Sequence, residues 1–345
     1  MQKTITIGSR QRINKSDITT QQAAQEIIKY IDEGFTQFDT ADHYADGEDI
    51  LWHVNQMLDP RTKEKTLIAT KRVPNAWPIQ ANETQKAIDR SLQRLQTPKI
   101  DLLQFHDRAP DEIHGIHRLT QLQEEKNNNR IQRLWLTNAS TPYIQKALQE
   151  SIAITSNQIC YSLLAQRPSS DMLTYCQKNN IDIFAFWTVA GWFLSEKRLN
   201  RSEPSIDQLQ NASLKKYKRF IDIAGWREYF QELLQTLDAI AKSYQVSIAT
   251  IASNYILYTP GISSIIIGAR LWESEHREEN KKILTVQLSE QERKKIHTIT
   301  QQANNLPWDF GDEYRIDHRA YGWWHESLTS TGKSGYAGHQ NKYIK

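Results

Sequence analysis

Short apolar runs alternating with amphipathic stretches set the rhythm of this chain. Runs that read as buried strands end near Gly8, Asp39, Lys71, His106, Asn138, Gln158, Trp187 and Gly268. Helical spacing appears between them, first at Ala24, Ile27, Ile28 and Ile31, opened by a capping-box pairing of Thr19 with Gln22 and closed by Gly34. Ile88, Ser91, Leu92 and Leu95 repeat the pattern, as do Tyr143, Ile144, Ala147 and Leu148. Most strand ends lie about thirty residues apart, the length one parallel βαβ crossover needs.

Eight such units predict an α/β fold, a (β/α)₈ TIM barrel. An open doubly wound sheet is the competing reading, but no G-x-G-x-x-G follows the first strand. The wide interval after Trp187 holds a long irregular stretch, polar and aromatic, then helical patterns at Leu233, Leu237, Ile240, Ala241 and Tyr244 and at Ile251, Ala252, Tyr255 and Ile256. It predicts a long decorated loop after the seventh strand. A last helix starts at the capping box of Ser289 and Glu292 and continues through Ile296 and Ile299. Periodicity is lost from Leu306, which divides the chain into a barrel domain, 1–305, and a C-terminal loop and tail, 306–345.

Composition narrows the classes. With 345 residues, 39% hydrophobic and 24% charged, the chain has ordinary globular usage and length enough for a sizeable core. A net charge of +3 without a long basic run argues against nucleic acid as a partner. Cys160 and Cys176 are too few for a disulfide framework or a cysteine-rich metal site, and fit a reducing cytoplasmic setting. No stretch approaches eighteen apolar residues and no signal-like segment opens the chain, so a soluble, unprocessed protein without a membrane partner is expected. A barrel of this size works as a monomer by default.

In such barrels chemistry gathers at the C-terminal ends of the strands, where this sequence has Asp39, Lys71, His106, Asn138 and Gln158, with Tyr44 just past Asp39. Singly, each has a plain structural explanation as a cap, a solvated strand end or a satisfied core histidine. Together they would converge on one mouth. A metal-dependent hydrolase built on Asp39, Asp42, His43 and His106 is a further option, but the chain has no H-x-H pair to support it, so no metal is expected.

F-D-T-A-D-H-Y at 38–44, I-A-T-K at 68–71, S-L-Q-R-L at 91–95, I-D-L-L-Q-F-H at 100–106, L-T-N at 136–138, N-Q-I-C-Y-S-L at 157–163 and I-I-I-G-A-R at 265–270 with E-E-N behind it resemble, in order, the aldo/keto reductase superfamily. S-L-K-K-Y-K-R-F-I-D and G-D-E-Y-R further resemble a bacterial subgroup of it whose substrates are mostly unassigned. The resemblance implies a catalytic tetrad of Asp39, Tyr44, Lys71 and His106. A free phenol titrates near pH 10, too high for efficient proton exchange at neutrality, and an ammonium about 4 Å away stabilises a phenolate by up to about 4 kcal/mol at an effective dielectric near 20. In these roles Lys71 tunes Tyr44, Asp39 holds Lys71, and His106 orients the substrate oxygen.

The same resemblance implies NADP(H) as cofactor. Asn138 and Gln158 would meet the nicotinamide carboxamide and Phe186 would stack on its ring. The loop holding Leu194 and Ser195 would approach the pyrophosphate, and Arg270, after Gly268, would meet the 2′-phosphate through a bidentate guanidinium. Asn280, with His276 one turn earlier, would lie near the adenine. The substrate would be a small carbonyl compound or alcohol.

Departures from the pattern mark expectations to test. Thr188 and Trp192 stand where relatives usually carry proline or a second glycine, which crowds the pyrophosphate loop. Asp107 and Arg108 follow His106 where the subgroup tends to have aromatics, which predicts a more charged pocket. Tryptophans 77, 187, 192, 226, 308, 323 and 324 either pack long loops or wall an aromatic pocket. The leading reading is an NADP(H)-dependent carbonyl reductase; the alternative is a nucleotide-binding regulatory or interaction protein on the same barrel.

Overall fold

The computed structural model describes residues 3–9, 18–74, 82–107, 112–167, 171–209, 212–225, 229–269 and 276–304. Its strands are β1 (Thr4–Gly8), β2 (Gln37–Asp39), β3 (Leu67–Arg72), β4 (Ile100–Phe105), β5 (Ile131–Thr137), β6 (Ile154–Cys160), β7 (Asp182–Phe186) and β8 (Ile262–Gly268). All pair in parallel and in sequence order, and β8 returns to β1 from Thr4↔Ser264 to Gly8↔Gly268, closing an eight-stranded barrel. The helices are α1 (Thr20–Asp32), α2 (Gly47–Met57), α3 (Pro60–Lys65), α4 (Glu83–Leu95), α5 (Glu112–Asn127), α6 (Thr141–Gln149), α7 (Met172–Lys178), α8 (Ala212–Ala224), α9 (Gln231–Tyr244), α10 (Ile248–Leu257), α11 (Arg277–Thr285) and α12 (Glu290–Thr300). The expected (β/α)₈ barrel is thus present. Arg270, the tail from 306 and the tryptophans at 77, 226, 308, 323 and 324 lie outside the described residues.

Local chemistry accounts for the element boundaries. Thr19 and Gln22 form the reciprocal capping box that starts α1, and Ser289 and Glu292 do the same for α12. Ile50, Leu51 and Val54 on one face of α2 are fully buried, each worth about 1.5–3 kcal/mol relative to exposure. The main core lies between the strands and the helical layer, while Ala69, Leu102, Trp135 and Phe184 fill the barrel lumen, with the Trp135 and Phe184 ring centroids 4.2 Å apart.

One stretch differs from expectation. The residues after Trp187 that look irregular include the thirteen-residue helix α8. Tyr217, Phe220, Ile221 and Ala224 recur at helical spacing and are buried, but Lys218 and Arg219 between the first two interrupt the apolar pattern in the sequence. Phe220 packs against Cys160, Ala165, Phe186 and Trp187, which fixes α8 across the strand ends of β6 and β7.

Both cysteines are buried free thiols, and burial pushes Cys176 up to about 12. Among the described residues no helix is long and apolar enough to cross a membrane, and no group of three His, Cys, Asp or Glu side chains could hold a metal ion.

Glu279 joins α11 to the start of α10, accepting from Ser247 N at 2.8 Å and Thr250 Oγ1 at 2.7 Å. Burial alone would raise this carboxyl, but the hydrogen bonds from Thr250 and Ser247 bring it down to about 2. A depressed carboxylate contributes stability that is full above its unfolded pKa, near about 4.3, and is lost as the pH falls toward the folded value. The stability gap between wild type and Glu279→Gln in urea unfolding should therefore be widest above pH 5 and shrink between there and about pH 2. A gap independent of pH would refute this role.

Candidate active site

Strand register explains why the polar residues meet. Register partners share a face of the sheet, and Lys71 is level with Gln104, Thr137 with Gln158, and Gln158 with Phe184. Asp39, Gln104 and Gln158 sit on non-neighbouring strands, so the hydrogen bonds between them cross the lumen. Asp39 Oδ1 is their focus. It accepts from Lys71 Nζ at 2.8 Å, from Gln158 Nε2 at 2.9 Å and from Gln104 Nε2. Asp39 is 5% and Lys71 2% exposed, so this ion pair is desolvated and depends on its hydrogen bonds.

Tyr44 is brought to the pair by the turn between β2 and α2. Asp42 N donates to Lys71 O at 2.8 Å, which continues the β2–β3 pairing past the strand end, and Gly47 N donates to Tyr44 O at 2.8 Å as α2 begins. Lys71 Nζ then stands 6.0 Å from the centroid of the buried Tyr44 ring, whose edge meets His43 at 4.6 Å. His106 follows β4 directly, is buried, and donates its backbone N–H to Arg72 O at 2.9 Å. Asp39, Tyr44 and Lys71 are therefore assembled, with His106 at the adjoining strand end.

Gly47 is required by this packing. A methyl group there would collide with Thr40 Oγ1 and sit 3.4 Å from both Ser9 Oγ and Tyr44 Cβ. Thr40 is fully buried and accepts from Ser9 Oγ at 3.0 Å, so it cannot retreat. Gly47→Ala should cost about 1–3 kcal/mol through overpacking, read as a lowered urea midpoint. An unchanged midpoint would show that the turn yields.

Of the remaining expected site residues, Asn138, Phe186 and Gly268 stand at the C-terminal ends of β5, β7 and β8. Asn138 adopts a left-handed conformation (φ 52°) that asparagine tolerates, and its Oδ1 accepts from Cys160 N at 3.1 Å. Its Nδ2 is buried without a hydrogen-bond partner among the described residues, an expensive state unless a ligand acceptor completes it. Phe186 ends β7 with its ring centroid 4.9 Å from that of Trp187. Leu194 and Ser195 are buried, and Ser195 Oγ donates to Trp192 O at 2.6 Å. Gly268 ends β8, while His276 holds the N-cap position of α11 and Asn280 is buried on that helix.

The loop after β7 is left-handed at four positions. Trp187 (φ 68°), Ala190 (φ 46°), Gly191 (φ 63°) and Trp192 (φ 72°) are all left-handed, a region that costs a non-glycine residue about 1–2 kcal/mol. Trp192 thus keeps a glycine-like backbone despite its side chain. Its ring reaches His276, centroid to centroid 4.9 Å, and so joins this loop to the start of α11. Trp187 packs edge-on against Tyr217 of α8 at 4.6 Å. The Asp107 carboxylate lies against Gly115 of α5, close to the Tyr143 hydroxyl of α6. Arg108 lies outside the described residues.

Sequence reasoning missed Gln104. Its amide donates to Asp39 Oδ1 and its Oε1 accepts from Thr137 Oγ1 at 3.4 Å. The available signal was an amide between the apolar Leu103 and Phe105, two residues before His106 and therefore on the same face.

Comparisons with known proteins bear on the family and the fold. The aldo/keto reductase family profile matches residues 4–301. The Bacillus subtilis protein "Uncharacterized oxidoreductase YqkF" is 27% identical over 284 residues, covering 79% of this chain and 85% of its own. "Aldo-keto reductase YhdN", also from Bacillus subtilis, is 26% identical over 301 residues, covering 85% and 86%. A crystal structure of an aldo/keto reductase from Klebsiella pneumoniae in complex with NADP and acetate superposes with a TM-score of 0.62 at 20% identity, over 88% of this chain and 93% of that one. With its eight-stranded barrel, its buried Asp39–Lys71 pair and a family match that runs nearly end to end, the chain belongs to the aldo/keto reductase family.

Proposed function

We propose that the protein is an oxidoreductase that uses NADP(H) to reduce an aldehyde or ketone, with Tyr44 as the general acid and, in reverse, the general base. The observation that carries this reading is the Lys71 amine, fixed by Asp39 at 2.8 Å and set 6.0 Å from the Tyr44 ring centre. A buried ammonium beside a phenol favours the phenolate left behind when the proton departs. Asp39 aims Lys71, and Gln104 and Gln158 donate to the same carboxylate oxygen. His106 orients the substrate oxygen toward the phenol.

A bound nicotinamide would supply the hydride. Asn138 is suited to hold its carboxamide, because the buried Nδ2 needs an acceptor, and Phe186 at the end of β7 is the ring proposed to stack on it. Arg270 is the cation proposed for the 2′-phosphate, which is why NADP(H) is preferred to NAD(H). The protein is proposed to act as a monomer in a reducing compartment, on a small carbonyl substrate.

A screen of aldehydes, sugars and ketones with the purified protein, followed as NADPH absorbance, tests the reading, and turnover of at least one class is expected. The Trp192–His276 contact favours a second reading, a nucleotide-binding interaction protein. Quenching of tryptophan fluorescence by NADPH without turnover of any compound would support that reading instead.

A further inference from the structure

We propose that Arg94 is a positioning residue for Tyr44, resting on the function proposed above: a guanidinium from α4 that clamps the chain on both sides of the phenol. Arg94 Nη1 donates to Asp42 O at 3.3 Å and Nη2 donates to Ala45 O. These two carbonyls bracket Tyr44. The other donors fasten the start of α2, with Nε and Nη2 on Asp49 Oδ2 at 3.0 and 2.6 Å and Nη1 3.2 Å from Glu48 Oε2.

The turn needs such a clamp. Ala45 is left-handed (φ 45°), a conformation that a non-glycine residue holds only when its surroundings enforce it. Asp46, at the N-cap position of α2, makes no side-chain capping hydrogen bond, and Arg94 adds its bonds to the turn from outside the segment.

Glu48 extends the clamp to Lys71. It is fully buried and accepts from Thr70 Oγ1 at 2.7 Å, and Thr70 precedes Lys71 on β3. Thr70, Glu48 and Arg94 form one connected path from the lysine strand to the tyrosine turn. A planar fork of five donors can serve two carbonyls and two carboxylates at once, which a lysine cannot do. The distance between amine and phenol is therefore set by Arg94 as well as by the two residues themselves.

Two variants, Arg94→Met and Arg94→Lys, test this with two independent readouts. In hydrogen–deuterium exchange of the protein without ligand, peptides spanning residues 42–49 should exchange at least about tenfold faster in both variants, with the strands unchanged. In the NADPH assay kcat should fall by about 10²-fold, the cost of a displacement near 1 Å, with KM for substrate and NADPH affinity held within about threefold. Lysine should restore only a small part. Unchanged exchange at 42–49 would overturn the proposal, as would uniform loosening of all strands in Arg94→Lys, which would make Arg94 a general structural residue. A wild type inactive on every carbonyl compound would count against the proposed function alone, and the exchange result would still decide the clamp. An active wild type with kcat unaffected in both variants would count against the clamp alone.

Discussion

Tyr44→Phe should lower kcat for carbonyl reduction by about 10²- to 10⁴-fold, the usual worth of a positioned proton donor, while NADPH affinity stays within about twofold. The variant isolates one atom. The Tyr44 ring is 8% exposed and packs edge-on against His43, and phenylalanine keeps that contact and the ring's place near Lys71. What disappears is the hydroxyl, the only part of the residue able to exchange a proton. Fluorescence titration with NADPH and steady-state kinetics separate binding from chemistry. Loss of binding as large as the loss of turnover would mean that Tyr44 shapes the nucleotide site, and the proton-donor role would be wrong.

Lys71→Met should remove both activity and stability, and the two losses should come apart in a double variant. Lys71 and Asp39 are almost wholly buried, so deleting the cation strands a carboxylate in the lumen at a cost of about 3–5 kcal/mol. The donors from Gln104 and Gln158 soften that cost without supplying a positive charge. Adding Asp39→Asn removes the stranded charge, so Lys71→Met/Asp39→Asn should recover most of the unfolding free energy in urea. Turnover should remain lost, because no ammonium is left beside the phenol. A double variant no more stable than Lys71→Met would show that the lysine stem, and not its charge, matters to the fold.

The barrel was legible because strand and helix periods alternate at a regular interval, and the capping boxes at Thr19 and Ser289 fixed two helix starts to the residue. Strand ends read from polar residues were displaced where a polar side chain lies inside the strand: β6 continues past Gln158 to Cys160. The inward register places that side chain in the lumen and leaves the backbone free to keep pairing. Helix α8 was hidden because lysines and an arginine interrupt its apolar face, and Lys218 is itself buried against Glu203 and Asp222. At the site, the residues that line strand ends were visible one by one. The bonds that aim them were not, since Gln104 and Arg94 act on Asp39 and on the Tyr44 turn across gaps that only the folded chain closes.

The tryptophan at 192 has a consequence for how this chain tolerates change. Its torsion suits glycine, so the indole is retained against the preference of its own main chain, and the contact with His276 is what the retention secures. Substitution by glycine would relax the torsion and free the loop from α11 in one step, whereas alanine would keep the strain and lose the wedge. Variation at this single site therefore trades a supple hinge against a fixed aromatic brace over the barrel mouth.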